Sequence, residues 1–371
     1  MIRVYEPFIG DEEADAVAAA VRAGEISGSF GSNLPAFERE FADFVGVRHG
    51  IATSSGTTAL HLAVQALGVG PDDEVLVSAS TNIATALAVY YQGAVPVPVD
   101  SERETWNLDL DLIEDLVTEK TRAIIPVHLF GHPVDMDRLA DIADRHGLAV
   151  VEDCAESHGA TVRGRQAGSF GTASCFSFYA NKIVTTGEGG MVLTDDDDLG
   201  ERLRLLRNLA FGEPRFYHEF PGHNFRMTGY QAAMGRVQLA KIDRILAEKR
   251  RVAATYTRLL EDVPGIRTPV EQDWARHVYW MYAVLVEDEF GLTRDELSQA
   301  LYERGIETRT FFCPMNLQPF LRDQTGFRDV PCPVGEELWH RGCYLPSSPS
   351  LSERQIAGVA QHIAALAAVR S

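Results

Sequence analysis

Three short segments of this chain carry residue types suited to carbonyl and phosphate chemistry. The first is Ser177-Phe178-Tyr179-Ala180-Asn181-Lys182, which runs into Thr185-Thr186-Gly187-Glu188-Gly189-Gly190. A lysine just past an apolar run, inside a glycine-rich turn, loses part of its hydration. That lowers its pKa and makes the amine nucleophilic toward carbonyls. Most lysines are solvated surface groups, but the glycines ask for more, because glycine lets a second backbone or a ligand come close. The second segment, Val150-Val151-Glu152-Asp153, ends an apolar run on an acid. A carboxylate there loses solvation unless it meets a cation or donors. Asp153 could cap a turn, bind a metal, orient a histidine or pair with a protonated pyridine nitrogen. The third, Ser54-Ser55-Gly56-Thr57-Thr58, follows Ile51-Ala52 and opens a helical stretch. It reads either as an ordinary Ser/Thr cap or as an anion cradle at a helix N-terminus. No GxxxxGK[ST] or GxGxxG pattern surrounds it.

Taken together, a phosphate cradle, an acid for a pyridinium and a carbonyl-reactive lysine are what pyridoxal 5′-phosphate (PLP) requires of a protein. On this reading Lys182 holds the cofactor covalently and moves a proton, Asp153 keeps the ring nitrogen protonated, and the 54–58 segment anchors the phosphate.

Such residues need a frame that sets them side by side. Apolar, β-rich runs predict strands at Val75 to Ser78, Val95 to Val99, Ala123 to Val127, Leu148 to Glu152, Cys175 to Phe178 and Met191 to Leu193. Helical stretches at Thr57 to Leu67, Ile83 to Tyr91, Leu110 to Val117 and Met136 to His146 separate the early ones. This alternation predicts an α/β fold with a mainly parallel sheet covered on both faces, whose ligands lie beyond the carboxyl ends of the strands. Ahead of it, Asp11 to Arg22 predicts a helix with Ala14, Val17, Ala18 and Val21 on its apolar face. Gly229 to Leu260 reads as one long connecting helix, Val278 to Val286 as a strand, and Thr293 to Arg304 as a helix. That helix has a capping-box pair, Thr293 and Glu296, and Gly305 as its stop. Leu351 to Val369 reads as a closing helix. We expect a large domain over 1–245 and a smaller α+β domain over 246–371.

The bulk properties set limits. A length of 371 residues suits two packed domains. Hydrophobic residues at 45% and charged residues at 23% match an ordinary globular enzyme. A formal charge of -19 with no basic run argues against nucleic acid and anionic lipid as partners. Five cysteines without a CxxC pair suggest neither a disulfide framework nor a zinc site, and point to a cytoplasmic, reducing compartment. The first residues lack a signal-peptide pattern, and no stretch approaches a membrane span.

At this point the chain resembles a known family. The segments SSGTTAL (54–60), PVHLFGHPVDM (126–136), VEDCAESHGA (151–160), SFYANK (177–182), TTGEGGMV (185–192), HNFRMTGYQAAMGRVQL (223–239) and YLPSSPSLS (344–352) resemble the DegT/DnrJ/EryC1/StrS sugar-nucleotide aminotransferases, which are fold-type I PLP enzymes. The likeness covers essentially the whole chain. Its 151–160 and 177–190 segments most resemble the GDP-perosamine synthase branch, which aminates C4 of a 4-keto-6-deoxy sugar nucleotide with L-glutamate. The resemblance implies that Lys182 is the cofactor lysine and Asp153 the pyridinium partner. It implies phosphate contacts from Gly56, Thr57 and Ser177, and a cofactor contact from Glu156. Asn224 would reach the phosphate of a neighbouring subunit, which implies a homodimer with shared sites. His128 and Asn316 would face the sugar nucleotide, and no metal is implied. A lysine at 182 separates the chain from related 3-dehydratases, which carry histidine there. Two segments depart from the family. Asn82 stands where an aromatic residue usually stacks on the cofactor ring, and Thr310 to Asn316 lacks the histidine expected near the nucleotide. Amination at C3 of a dTDP-sugar or of a cyclitol ketone is the alternative within this chemistry. A PLP lyase or a non-catalytic regulator would share the cofactor residues, and a Rossmann-type oxidoreductase would share only the βα alternation.

Overall fold

A sheet of seven strands forms the frame. In the computed structural model, which describes residues 1–368, the strands are β1 (His49–Thr53), β2 (Glu74–Ser78), β3 (Val95–Val99), β4 (Thr121–Ile125), β5 (Ala149–Asp153), β6 (Ala173–Ser177) and β7 (Gly190–Thr194). Their order across the sheet is β1-β7-β6-β5-β4-β2-β3. β7 runs antiparallel to both of its neighbours, and the remaining pairs are parallel. Alternate side chains feed opposite cores. Val75, Val77, Ile125 and Val151 join one cluster, while Leu76, Ile124 and Val150 join another. This is why the runs read as continuously apolar rather than alternating.

Helices α1 (Asp11–Arg22), α2 (Asn33–Val45), α3 (Gly56–Ala66), α4 (Ala84–Tyr90), α5 (Met136–His146), α6 (Asp197–Arg207), α7 (Gly229–Ala240) and α8 (Ile242–Leu260) surround the sheet. Helix α1 has the expected span, but its buried side is Glu13 and Ala20, while Val21 is exposed. Glu13 decides this. Its carboxylate accepts from Gly10 N, Gln238 Nε2 and Lys241 Nζ at 2.8 to 2.9 Å, so the helix turns that residue inward against α7. The helix expected over Gly229 to Leu260 is two helices that meet at Lys241, the residue held by Glu13. The helix expected from Leu110 is a 3-10 turn (Leu110–Leu112) followed by a short α-helix (Ile113–Leu116). Helices α2 and α6 were not anticipated.

A second, four-stranded antiparallel sheet is ordered Ile266–Arg267, Tyr282–Val286, Gly342–Leu345, Arg309–Thr310. The strand expected from Val278 starts only at Tyr282, because Tyr279 takes φ 50° and turns the chain. Thr293 and Glu296 form the expected capping box ahead of the helix Arg294–Tyr302, and Gly305 follows at φ 75°. The closing helix is described over Glu353–Ala368; Val369 lies outside the described residues. The start of α8 packs into the large core through Ile242, Ile245 and Leu246, and its end packs into the second core through Tyr256 and Leu260. The first residues reach the segments around this second sheet: Ile2 bridges Ile306 and Val4 O accepts from Ser347 N. Among the described residues no helix is long and apolar enough to cross a membrane.

Candidate active site

The carboxyl ends of β1, β2, β5 and β6 open on one cavity of about 260 Å³. Its lining includes Gly56, Thr57, Asn82, Asp153, Glu156, Ser177 and Lys182, which join residues far apart in sequence. Trp280, Phe312 and Tyr344 close it from the side of the second sheet.

The 54–58 segment is both a cap and a cradle. Ser55 is the N-cap of α3, with its Oγ accepting from Thr58 N at 3.1 Å. The N–H groups of Gly56 and Thr57 in the first turn have no acceptor among the described residues, and both residues line the cavity. A helix start with free N–H groups attracts an anion. Two glycines allow the approach. A Cβ on Gly56 would lie 2.6 Å from Ser177 Cβ, and one on Gly190 would lie 2.3 Å from Ser55 O. Any larger residue at either place would push β6, β7 and the helix start apart.

Asp153 ends β5 and is 4% exposed. Its Oδ2 accepts from Thr85 Oγ1 at 2.8 Å and its Oδ1 from Ala155 N at 3.1 Å. Burial pushes this carboxyl above the ordinary carboxylate range, and Thr85, Ala155 and the nearby Lys182 charge hold it back only in part. An acid in that condition gains from any cation brought against it.

Lys182 sits just past β6, its N–H bonded to Tyr179 O at 2.9 Å and its carbonyl accepting from Tyr5 Oη at 3.2 Å. Its Nζ lies 3.8 Å from Glu156 Oε1 and 3.8 Å from the centre of the Trp280 ring. Burial draws the amine below its usual range, against the opposing pull of Glu156 and Asp153. Burial also pushes the Glu156 carboxyl up to about 7, while its Oε2 accepts from Phe130 N at 2.8 Å. Amine and acid thus form a buried pair in which burial weakens the charge of both and their mutual attraction restores part of it.

Three expected residues lie outside the cavity lining. His128 does not face it: the ring is fully buried, Nδ1 accepts from Val134 N at 3.0 Å, and Nε2 is 3.2 Å from Glu152 Oε2. The Val134 bond leaves Nε2 as the donor to Glu152. That carboxylate also accepts from Gly168, Phe170 and Gly171 N at 2.7 to 2.8 Å. The pair braces the strand end that carries Asp153, and it occupies His128 completely. Cys154 brings a third donor atom to within 4.8 Å of these two, but burial raises its thiol pKa, which disfavours the thiolate a metal would need. Asn316 is also buried, its Nδ2 bonded to Glu336 Oε1 at 3.1 Å. Asn224 is exposed on a bridge to Asn208 and lies outside the cavity lining.

Asn82 lines the mouth, and its Oδ1 accepts from Ala84 N at 3.0 Å, capping the start of α4. An aromatic side chain there would forfeit that cap. The aromatic groups in the lining are Tyr179, Trp280, Phe312 and Tyr344. Sequence reasoning missed Trp280, because it falls within an apolar run that reads as strand.

Known proteins resemble this chain along nearly its whole length. Residues 7–364 match the DegT/DnrJ/EryC1/StrS aminotransferase family. The chain is 43% identical to a GDP-perosamine synthase of Caulobacter vibrioides, over 96% of this chain and 95% of the relative. It is 39% identical to a dTDP-3-amino-3,4,6-trideoxy-alpha-D-glucose transaminase of Streptomyces venezuelae, over 95% of this chain and 90% of that one. Among solved structures, S. venezuelae DesV superposes with a TM-score of 0.89 at 39% identity, covering 96% of this chain and 94% of that one. A 3-amino-5-hydroxybenzoic acid synthase superposes at 0.92 with 31% identity, covering 99% and 98%. A family match across nearly the full length, on a frame that gathers an amine, a buried acid and an anion cradle, leads to one assignment: the chain belongs to the DegT/DnrJ/EryC1/StrS aminotransferase family.

Proposed function

We propose that this chain uses PLP to move the amino group of L-glutamate to the C4 keto carbon of a nucleotide-linked 4-keto-6-deoxy sugar. One observation carries the reading: Lys182, Asp153 and the two residues with free N–H groups, Gly56 and Thr57, line a single cavity. The residues fit the cofactor. The helix start suits a phosphate, the buried acid lacks a full counter-charge, and the desolvated amine lies between them. When bound, PLP supplies a carbonyl that takes up the amino group and a ring that withdraws electrons from it.

The chain's own groups do the rest. Asp153 holds a proton on the ring nitrogen, which relieves its own burial. Lys182 Nζ would hold the cofactor's carbonyl carbon and would be the group placed to move a proton at the donor's Cα, and Glu156 tunes how readily that amine gives up its charge. Trp280, Phe312 and Tyr344 shed water from the reacting atoms. Ligand pockets commonly measure roughly 300–1,000 Å³, so a cavity of about 260 Å³ is too small for a cofactor and a whole nucleotide sugar together, and part of the substrate would lie outside it. A homodimer in which the partner's Asn224 reaches the phosphate is consistent with the exposure of that residue. Five free cysteines suit a cytoplasmic enzyme.

The C4 regiochemistry draws on the 43% identical GDP-perosamine synthase. The 39% identical 3-amino-sugar transaminase favours C3 instead. Purified holoenzyme, L-glutamate and a panel of 4-keto and 3-keto sugar nucleotides distinguish the two by the position of the amine in the product. Lys182→Ala should abolish both turnover and the visible absorbance of the bound cofactor. Retention of both would overturn the assignment of the lysine.

A further inference from the structure

Lys249 is a buried cation that the chemistry above does not use. It lies on α8, is 1% exposed, and has no ion-pair partner among the described residues; burial alone draws its pKa down to about 7. Its Nζ donates to Trp280 O at 2.7 Å and to Ser347 O, and it lies 5.2 Å from the Tyr5 ring centre. Burying an ammonium for the sake of two backbone carbonyls is expensive, and an apolar side chain would fill a core site at lower cost. The placement has a clear consequence at the active site. Tyr279, just before Trp280, is held at φ 50°, a conformation that disfavours a bulky residue. Something must hold that turn, and the clamp on the next carbonyl does so. On the other side, Trp280 Nε1 donates to Asn181 O at 2.7 Å, and its ring face meets Lys182 Nζ.

We propose that Lys249 is a positioning residue for transamination. By fixing the Trp280 carbonyl and the Ser347 turn together, it holds the indole face against which the Lys182 amine rests whenever that amine is not bound to the cofactor. An aromatic face attracts an ammonium more strongly out of water, so a well-placed Trp280 keeps Lys182 close to its working position between steps. The inference rests on the assignment of Lys182 made above.

The test compares wild type with Lys249→Met, Lys249→Arg and Trp280→Leu, and with Lys249→Met in the Trp280→Leu background. The readouts are steady-state kcat and KM, and the rate at which apo-protein captures PLP at Lys182. Capture is fixed by borohydride and measured as mass on the Lys182 peptide. Lys249→Met should lower kcat and slow capture by about tenfold or more, with either KM within about threefold. Lys249→Arg, which keeps donors for both carbonyls, should recover most of the loss. In the Trp280→Leu background Lys249→Met should add less than about twofold. Should Lys249→Met fail to fold, Lys249→Gln is read against the same values. Unchanged kcat and capture, or a Lys249 effect that simply multiplies that of Trp280→Leu, would overturn the proposal. Borohydride-fixed cofactor mass found on another peptide of the wild type, or retained on the whole chain in Lys182→Ala, would instead sink the assignment of Lys182, so the two failures are distinguishable.

Discussion

Glu156→Gln tests the electrostatics of the site most directly. Glu156 Oε1 lies 3.8 Å from Lys182 Nζ. At an effective dielectric of about 20, two unit charges that far apart attract by about 4 kcal/mol. Burial pushes Glu156 up to about 7, so near neutrality roughly half of that attraction is present. About 2 kcal/mol corresponds to roughly a 30-fold bias toward the ammonium form of Lys182. The glutamine can keep the Phe130 N–H bond through its amide oxygen while turning an uncharged NH₂ toward the lysine. Removing a negative neighbour disfavours the charged amine, so the midpoint for Lys182 must move to lower pH. The assay is the pH dependence of PLP capture by apo-protein, followed by absorbance from pH 5 to pH 10 as about ten points. Near pH 7 and above, where Glu156 carries charge in the wild type, the variant should react faster, by about tenfold or more, and the difference should shrink as pH falls and Glu156 takes up its proton. A midpoint that stays in place or moves upward would refute the argument that Glu156 supports the charge on Lys182.

Other outcomes follow from the same geometry. Glu152→Gln places an NH₂ against either the Phe170 and Gly171 donors or the Gly168 and His128 donors, so two charge-assisted bonds are lost. At about 1.5–3 kcal/mol each, urea unfolding should show a loss of about 3–6 kcal/mol, and a loss under about 1 kcal/mol would contradict the bracing role given to His128 and Glu152. Burial lowers the His132 pKa to about 4, from 6.5. Its folded value is depressed, so below pH 6.5 the unfolded chain binds the extra proton, and stability present at neutral pH is lost as pH falls toward 4. His132→Gln should therefore lose less stability than wild type between pH 7 and pH 5 in urea melts, and equal losses would exclude His132 as a contributor.

Much of the frame was legible because strands buried on both faces must be apolar throughout. The runs at Val75, Val95, Ala149 and Met191 are short, β-rich and separated by helical stretches, so their existence was readable to within a few residues. Errors arose where a side chain far away in sequence decided the local structure. The inward face of α1 follows Glu13, which Gln238 and Lys241 hold, and no helical periodicity can anticipate partners more than two hundred residues distant. The break at Lys241 has the same origin. His128 matches a family segment, yet its Nδ1 and Nε2 contacts are Val134 and Glu152. A motif gives a residue's position along the strand; the direction of its ring depends on what packs around it.

The sequence by itself determined the chemistry available: a lysine after a buried run, an acid at a strand end, and a small-residue helix start, each a consequence of local composition. Only the tertiary structure decided what these groups experience. Burial sets the protonation of Lys182, Glu156 and Asp153, because desolvation depends on every element that closes over them. The same packing brings Trp280 from the side of the second sheet to the amine and places Lys249 beneath it, a contact between residues whose spacing along the chain carries no hint of it.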